Sequence, residues 1–493
     1  MHFESEQWKD LAPFKKFPCV ILERGQPWND NGHVTRFTAY FVPDPDKQIL
    51  LGFVKILQRG QKRTELPSEF THLDDSFCSL GQNLEFYSRV QRLHPPFAQE
   101  ILLGLRDVVF TPALQAEFRG EPAYAESLLR ASSARLALQE AGRLFNSPGD
   151  APTPPASGEM LRTPYFTYTT QLKGFDAPHQ IQIDFQVKEK WIGRVVALVG
   201  RNGTGKTTLL GKLAYEMSGL PLKETGSLGP EKPLVSQVMA ISYSPFDTFT
   251  RPRHQLGVNY VYCGLRDAND RVDLRWAMSA FDEALADIRR LERWDTWKQL
   301  LEESGILEEL PNTEHVTEYP GTLIDWLKEQ SSGHKVVLLI LAKVFAHIQP
   351  RSILLFDEPE THLHPHLLSG LMRLLHLLLH EFDSYAIVAT HSPIVLQELP
   401  ARDIQILENE EGVPLVSDYP GESFGENLTE IVNTAFQVDE KSKNYFRILR
   451  ELVKRKGARE PVAALFDKRL NLNMRMALHA LTADHEAKKD DEP

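Results

Sequence analysis

The stretch Gly200-Arg201-Asn202-Gly203-Thr204-Gly205-Lys206-Thr207 fits the pattern G-x-x-x-x-G-K-[ST], in which backbone N–H groups surround phosphate oxygens. It follows the apolar run Val195–Val199, a predicted buried strand, and opens the predicted helix Lys206–Met217. A plain glycine turn is the alternative, but a position between strand and helix favours a phosphate loop. Lys206 is expected to reach the outer phosphates of a nucleotide, and Thr207 to bind Mg²⁺. The candidate nucleotide-binding residues here are Arg201, Asn202, Gly203, Thr204, Gly205, Lys206, Thr207 and Thr208.

A second motif is the apolar run Ser352–Phe356, which ends in Asp357 and Glu358. A strand ending there places both carboxylates at the carboxyl edge of a parallel sheet, beside the phosphate loop. Asp357 is then expected to hold Mg²⁺, and Glu358 to polarise the attacking water as the catalytic base. An acidic strand end is common by itself, so this prediction depends on the phosphate loop that precedes it.

The segment Gln330–His334 (QSSGH) precedes a predicted apolar helix, Val336–Ile348, and resembles the signature motif LSGGQ of ABC-type ATPases. The resemblance implies that this segment contacts the γ-phosphate of a nucleotide held by the opposite protomer. Hydroxyl and backbone N–H groups at a helix start suit an anion. The residues assigned to this contact are Ser331, Ser332 and Gly333.

His391 follows the predicted strand Tyr385–Thr390 and resembles the switch histidine of the same family, which implies a catalytic contact with the γ-phosphate. The family's glutamine loop has no obvious counterpart after the predicted strand Val238–Ser244. Asp247 or Ser244 could replace that glutamine, with Asp247 as an additional candidate ligand of Mg²⁺. Gln237 in a shifted register is the other alternative.

The segment Asp357–Pro365 (DEPETHLHP) resembles the RecF, SMC and OLD branch of ABC-type ATPases, an AAA family ATPase group. Together with the motifs around it, this segment is most similar to the ATPases of Septu anti-phage systems, the PtuA family. In that family the ATPase pairs with an HNH nuclease and regulates it. The resemblance implies ATP and Mg²⁺ as cofactors, a homodimer or higher homo-oligomer through ATPase heads, an HNH nuclease partner, and DNA contact through the complex. The other supporting motifs are SPFD (Ser244–Asp247), SSGHK (Ser331–Lys335), ATHSPIVLQELP (Ala389–Pro400) and ESFGEN (Glu422–Asn427).

The predicted fold is an α/β ATPase head of the ABC type, with a mixed, mainly parallel sheet flanked by helices and a short helical lobe. An N-terminal α+β domain is predicted from a strand pair around a turn, Arg36–Val42 and Gln48–Leu57, and from three helices. Those helices are predicted at Ser76–Leu93, Pro96–Val109 and Ala131–Phe145. Residues 1–145 are predicted to form a domain for partner docking or sensing, and residues 146–164 a Pro/Gly-rich linker. The ATPase domain is predicted at 165–426, with its helical lobe at about 251–335. Residues 427–493 are predicted to form helices with an acidic tail.

Composition excludes several classes of protein. The net charge of −12 argues against coating nucleic acid by bulk charge, and three scattered cysteines among 493 residues exclude a disulfide framework. No apolar run approaches the roughly 18 residues of a membrane span, so a cytoplasmic location without membrane contact is expected. The histidine-rich segment His362–His366 lacks partners at metal spacing, so a metal site there is the less favoured interpretation.

Two functions remain open. The first is an ATPase that gates an associated nuclease in phage defence; the second is a RecF-like DNA repair ATPase that binds DNA directly. The phosphate loop and the signature segment are too close in sequence for a long coiled-coil arm between them, and the region after His391 carries no convincing nuclease pattern. The chain is therefore expected to have no nuclease activity of its own.

Overall fold

The computed structural model describes residues 1–6, 16–24, 30–145, 164–218, 226–230, 232–244, 249, 259–267, 271, 274–309, 327, 329–361, 363–436, 444–456, 459–467 and 469–490. Most of the predicted linker, residues 146–163, lies outside these ranges, as do Asp247 and His362. Parts of the predicted helical lobe also lie outside them.

The N-terminal region is built on a six-stranded sheet in the order β5-β1-β2-β3-β4-β6. The predicted turn at 43–46 is confirmed, because the strands on either side of it pair antiparallel as a hairpin. The strands are β1 (His2–Glu6), β2 (Cys19–Arg24), β3 (Arg36–Asp44), β4 (Lys47–Gln58), β5 (Glu69–Phe70) and β6 (Phe77–Gly81).

Helices cover this sheet and share its apolar core. The predicted helix Ser76–Leu93 is wrong in its first third, since Phe77–Gly81 is the fully buried strand β6, paired with β4. The helix starts only at Leu84, where the side chain of Asn83 accepts a hydrogen bond from the backbone N–H of Phe86. The helices are α1 (Leu84–Arg92), α2 (Pro95–Gly104), α3 (Ala113–Phe118) and α4 (Ser132–Glu140), with a π-helical turn at Tyr124–Leu128 and a 3₁₀ turn at Ala141–Phe145.

The second region contains a seven-stranded sheet in the order β12-β11-β13-β14-β9-β15-β16. All neighbouring strands in it run parallel except the last pair, which confirms the predicted mixed, mainly parallel sheet. A smaller three-stranded sheet has the order β10-β7-β8. The strands are β7 (Tyr165–Thr170), β8 (His179–Asp184), β9 (Val195–Gly200), β10 (Ser227–Gly229), β11 (Val238–Ser242), β12 (Tyr260–Gly264), β13 (Ile353–Asp357), β14 (Tyr385–Thr390), β15 (Ile404–Glu410) and β16 (Val413–Asp418).

Apolar layers cover both faces of the large sheet. Along β9, Val195, Ala197 and Val199 join one apolar cluster, whereas Val196 and Leu198 join the other, as alternation along a strand requires. The helices of this region are α5 (Lys206–Ser218), α6 (Leu274–Arg290), α7 (Trp294–Ser304), α8 (Ser332–His347), α9 (Pro365–Glu381) and α10 (Pro393–Gln397). Helix α5 and the small sheet cover one face, and α6 to α10 cover the other.

The C-terminal residues are helical, as predicted, and the last three helices enclose a small apolar cluster of their own. These helices are α11 (Leu428–Phe436), α12 (Asn444–Lys456), α13 (Arg459–Ala464) and α14 (Leu472–Asp490). Within the described ranges, no helix is both long and apolar enough to cross a membrane. All three cysteines are free and buried, as the absence of a disulfide framework predicts.

The two sheet regions are joined by polar contacts. The guanidinium of Arg293, before α7, donates to the carbonyls of Phe345 and Ile348 at 2.9 Å each and pairs with Glu85 on α1. Asn83 donates to the side chain of Gln349 at 3.2 Å. Because Arg293 is buried, these contacts attach the N-terminal region firmly to the end of α8.

Candidate active site at the carboxyl edge of the large sheet

The phosphate loop connects β9 to α5, as predicted. Gly200 and Gly205 are needed for close packing, because a Cβ at Gly200 would lie 2.3 Å from the carbonyl oxygen of Leu407 and one at Gly205 2.7 Å from Leu172. Gly205 also has φ +91°, a conformation that disfavours other residues. The loop therefore runs tightly against β15 and the small sheet, with its N–H groups at the start of α5.

Two side chains hold this loop in place. Lys206 lies inside it, where Nζ donates to the carbonyls of Gly200 at 2.8 Å and Arg201 at 3.1 Å. Burial lowers the pKa of Lys206, and the charges of Glu358, Asp357 and Glu360 oppose that effect. From β8, the buried His179 places Nε2 3.0 Å from the carbonyl oxygen of Thr204. His179 was missed by the sequence analysis, and no motif marks it, because its contact depends on how the small sheet packs.

The strand order explains why distant motifs meet. Strand β14 lies between β9 and β13, so the loop after β9, the acidic end of β13 and the histidine after β14 share one edge. Thr207 and Asp357 are in direct contact there, with Oγ1 of Thr207 3.0 Å from Oδ1 of Asp357. A hydroxyl and a buried carboxylate that converge in this way are a donor set that suits Mg²⁺.

Glu358 begins a tight turn at this edge. It has φ +48°, which is uncommon for a residue other than glycine and is concentrated at functional sites. Its backbone N–H donates to the carbonyl of Ala389 on β14 at 2.8 Å, and its carbonyl accepts from Thr361 at 3.0 Å. The turn thus holds a half-exposed carboxylate at the open edge of the sheet.

His391 faces this carboxylate. Its Nδ1 lies 3.7 Å from Oε1 of Glu358 and 3.1 Å from Oε1 of Glu360. The nearby imidazole of His391 lowers the pKa of Glu358, and the carboxylates of Glu358 and Glu360 raise the pKa of His391 although burial opposes this. In the predicted catalytic pair, the ionised form of Glu358 and the protonated form of His391 therefore stabilise each other.

Glu360 also lies at this site, although its sequence position suggested no role for it. Its Oε1 accepts hydrogen bonds from Oγ1 of Thr390 at 2.8 Å and from the backbone N–H of His391 at 2.7 Å. In the sequence, Glu360 is marked only as a second glutamate, two residues after Glu358 in the segment Asp357–Pro365.

The predicted signature residues lie elsewhere. Ser331 caps α8, where its Oγ accepts from the backbone N–H of His334 at 3.4 Å. Within the described part of the chain, neither Ser331 nor Gly333 forms a hydrogen bond with the phosphate loop of the same chain.

The candidates for the glutamine loop are only partly described. Ser244 follows β11 at the same sheet edge as Asp357, and Asp247 lies outside the described residues. Gln237 precedes β11, so it stands at the opposite end of that strand and is the wrong candidate for this role. Among the described residues, no cluster of three or more histidine, cysteine or acidic side chains is arranged to hold a metal ion, and the rings of His364 and His366 stack with their centroids 5.6 Å apart.

The arrangement has the parts that phosphoryl transfer to water requires. The loop and Lys206 can bind phosphates, Thr207 and Asp357 can hold Mg²⁺, and Glu358 can orient a water molecule. All of them lie on one edge of the mainly parallel sheet, whereas the predicted signature residues lie at the start of α8.

This chain is similar to a known protein family over part of its length and to a phage protein over most of it. Residues 236–397 match the family described as "AAA domain, putative AbiEii toxin, Type IV TA system", a segment that contains Asp357, Glu358 and His391. The chain is 26% identical to Protein ea59 of Escherichia phage lambda over 513 aligned positions, which cover 94% of this chain and 95% of that protein.

Two solved structures are similar at lower identity. Part of the ABC transporter complex cbiONQ, cbiO1 from Clostridium perfringens, is 18% identical with a TM-score of 0.31, covering 59% of this chain and 96% of that one. The SMC head domain from Thermotoga maritima is 17% identical with a TM-score of 0.28, covering 51% of this chain and 97% of that one. The phosphate loop between β9 and α5 and the mixed, mainly parallel sheet give this region the α/β P-loop fold predicted from the sequence.

Proposed function

We propose that this chain binds and hydrolyses ATP between two heads of a homodimer, and that it uses the nucleotide state to regulate an associated effector in phage defence. The observation that carries the ATPase assignment is the contact between Thr207 and Asp357 at the mouth of the phosphate loop, with Glu358 and His391 beside it. Thr207 and Asp357 would hold Mg²⁺, which neutralises charge on the phosphates.

Residues of this chain supply the remaining chemistry. Lys206 and the N–H groups of the loop bind phosphate oxygens, and Glu358 accepts a proton from water as that water attacks the γ-phosphate. His391 stands where its imidazole can donate to the same phosphate. The lowered pKa of Glu358 suits a base that must stay ionised at neutral pH.

Dimerisation is supported by the position of the signature residues at the start of α8, where Ser331 and Gly333 form no hydrogen bond with the phosphate loop of the same chain among the described residues. Ser331 and Gly333 sit at the start of a 16-residue helix, whose N-terminal N–H groups suit an anion. A second copy related by two-fold symmetry would bring this helix start to the nucleotide of the first copy, and the reverse. ATP would then be enclosed between two heads.

The role in conflict between phage and host is supported by two comparisons. One is the family description, which names a toxin of a type IV toxin–antitoxin system, and the other is the phage origin of a relative that is similar along nearly the whole chain. A Septu-type arrangement with an HNH nuclease as the effector is the specific form that we propose.

The C-terminal helices are the proposed docking surface. Ile448, Leu465, Leu472 and Met476 are all large apolar side chains that are about half exposed or more. Exposed apolar side chains on one small helical unit are typical of a protein interface. The ATP site does not need this unit, so an effector can bind there while the heads close.

The competing function is direct DNA binding by the ATP-bound dimer. Basic side chains at the end of α12, Lys454, Arg455 and Lys456, could contact phosphates. ATP-dependent, salt-sensitive binding of duplex DNA by the purified chain alone would favour this function over effector control.

The test is to purify the chain alone and together with partners that co-purify from its host. The lone chain should hydrolyse ATP and leave DNA intact with Mg²⁺ or Mn²⁺, whereas nuclease activity should appear only with a partner and depend on the nucleotide. Cleavage of DNA by the lone chain, abolished by changing acidic residues outside the ATP site, would contradict the proposal.

A further inference from the structure

One carboxylate at the site, that of Glu360, forms no hydrogen bond with the phosphate loop or with Asp357 among the described residues. The side chain of Glu360 is only 10% exposed, although it lies beside two other acidic residues at an open sheet edge. Its Oε2 is buried and has no hydrogen-bond partner among the described residues. A buried carboxylate is costly, so its presence calls for a compensating interaction.

That interaction is with the segment that carries His391. A single oxygen, Oε1, accepts from the hydroxyl of Thr390 and from the backbone N–H of His391, and it lies 3.1 Å from Nδ1 of the same residue. The hydroxyl of Thr390 in turn accepts from the backbone N–H of Ser392 at 2.9 Å. Glu360 therefore contacts both the backbone and the ring of the histidine.

The turn that presents Glu360 is itself braced. The carbonyl of Glu358 accepts from Thr361 at 3.0 Å, and the carbonyl of Glu360 accepts from Leu363 at 3.1 Å. The backbone N–H of Glu358 is bonded to β14 through Ala389. Since β13 and β14 pair in register up to this edge, Glu360 has a fixed distance to the end of β14.

We propose that Glu360 is the positioning residue for His391 in ATP hydrolysis. By occupying Nδ1, the carboxylate leaves Nε2 as the nitrogen that faces the phosphate, and it fixes the direction of the ring. The imidazole is 45% exposed, so without this contact it has open space in which to rotate. A histidine held in this way loses less freedom when the substrate aligns.

A purely structural role makes a different prediction. If Glu360 only tied the turn to β14, its loss would lower stability and nucleotide binding without a specific dependence on His391. If it positions His391, its loss should lower kcat at nearly constant KM, and it should have no effect once the imidazole is gone.

The inference rests on the proposed ATPase function, so the experiment has a structural arm and a kinetic arm. In the structural arm, crystal structures of Glu360→Ala and Glu360→Gln are compared with that of the unmodified protein. The His391 ring should be displaced in the alanine protein and retained in the glutamine protein, whose amide oxygen can still accept from Thr390 and His391. An unmoved ring in Glu360→Ala overturns the proposal whether or not ATP is hydrolysed.

In the kinetic arm, Glu360→Ala should lower kcat about 10- to 100-fold, with KM changed no more than about two-fold. Glu360→Asp keeps the charge, but its side chain is one methylene shorter and cannot reach His391, so its kcat should also be lowered. This variant replaces Glu360→Ala in the experiment if the alanine protein fails to fold. In a His391→Ala background neither change should have a further effect, and Glu410→Ala, at an exposed position, should match the unmodified protein. If the losses of kcat multiply in the double variant, the proposal is overturned. If the unmodified protein itself does not hydrolyse ATP, the proposed ATPase function is contradicted, and the structural arm alone tests whether Glu360 positions His391.

Discussion

At the scale of single residues, the site depends on an arrangement of opposite charges. Lys206 is buried against the loop, the pKa of Glu358 is lowered by His391, and the pKa of His391 is raised by the carboxylates that face it. Each of these side chains stands at the end of a strand or the start of a helix, where the backbone is fixed. Their roles can therefore be separated by substitutions that keep the shape of the site.

Replacing Glu358 by glutamine removes the charge that accepts a proton while keeping size and hydrogen bonding. We expect Glu358→Gln to bind ATP and to lose turnover by about 10²- to 10⁴-fold. Lys206→Ala should instead lose binding, because the phosphates lose a buried counter-ion. Nucleotide binding by calorimetry and phosphate release measure the two effects, and near-normal turnover in Glu358→Gln would remove its assigned role.

The sequence was sufficient to predict these residues because each belongs to a motif with a known spacing. Thr207, Asp357, Glu358 and His391 were predicted from three separate segments, and the structure brings all four residues to one edge of the sheet. Glu360 and His179 received no role, since what they do depends on neighbours that only the folded chain supplies.

At the scale of elements, secondary structure was predicted correctly where the local sequence pattern determines it. It was predicted wrongly where pairing with a distant strand determines it. The hairpin β3–β4 follows from its turn residues, and the central strands from long apolar runs. The run 77–81 was predicted as helix, because a short buried apolar segment has no diagnostic period, and its pairing with β4 makes it a strand. Strands β15 and β16, which extend the large sheet beyond β9, were not predicted at all.

The loop after α2 contains a buried carboxyl that joins this loop to α1. Asp107 accepts from the hydroxyl of Tyr87 on α1 at 2.8 Å and from the N–H groups of Val109 and Phe110 at 2.9 and 3.2 Å. Burial raises the pKa of Asp107 to about 6, despite these hydrogen bonds. The folded state thus prefers the protonated acid more than the unfolded state does.

The contribution of Asp107 to stability is therefore full below its unfolded pKa of about 4 and is lost as the pH rises through about 6. Asp107→Asn cannot titrate and keeps one acceptor oxygen. We therefore expect the difference in melting temperature, Asp107→Asn minus unmodified protein, to increase as the pH is raised from about 4 to about 7. Calorimetry at several pH values measures this, with the exposed Asp46→Asn as control, and a difference that does not change with pH would contradict it.

At the scale of the whole molecule, the chain consists of an N-terminal region, a region on the large sheet that holds the proposed ATP site, and C-terminal helices. The N-terminal region is attached to α8 through Arg293, and α8 begins at Ser331, the proposed contact to a second copy. A change in how two heads meet can therefore reach the N-terminal region along a single helix. A bound nucleotide can shift the balance between open and closed heads only by its differential affinity for the two states.

The central claim is that one chain supplies the phosphate loop and another supplies the signature residues. Lys206→Ala and Ser331→Arg should each be inactive alone. In a heterodimer of the two, one site would combine the intact Lys206 of one chain with the intact Ser331 of the other.

The measurement is steady-state ATP hydrolysis of the two variants mixed in equal amounts, with heterodimers verified through different affinity tags. Random pairing makes half of the dimers mixed, each with one intact site, so turnover should return to about one quarter of the unmodified rate. Verified heterodimers that stay inactive at every mixing ratio would contradict the claim.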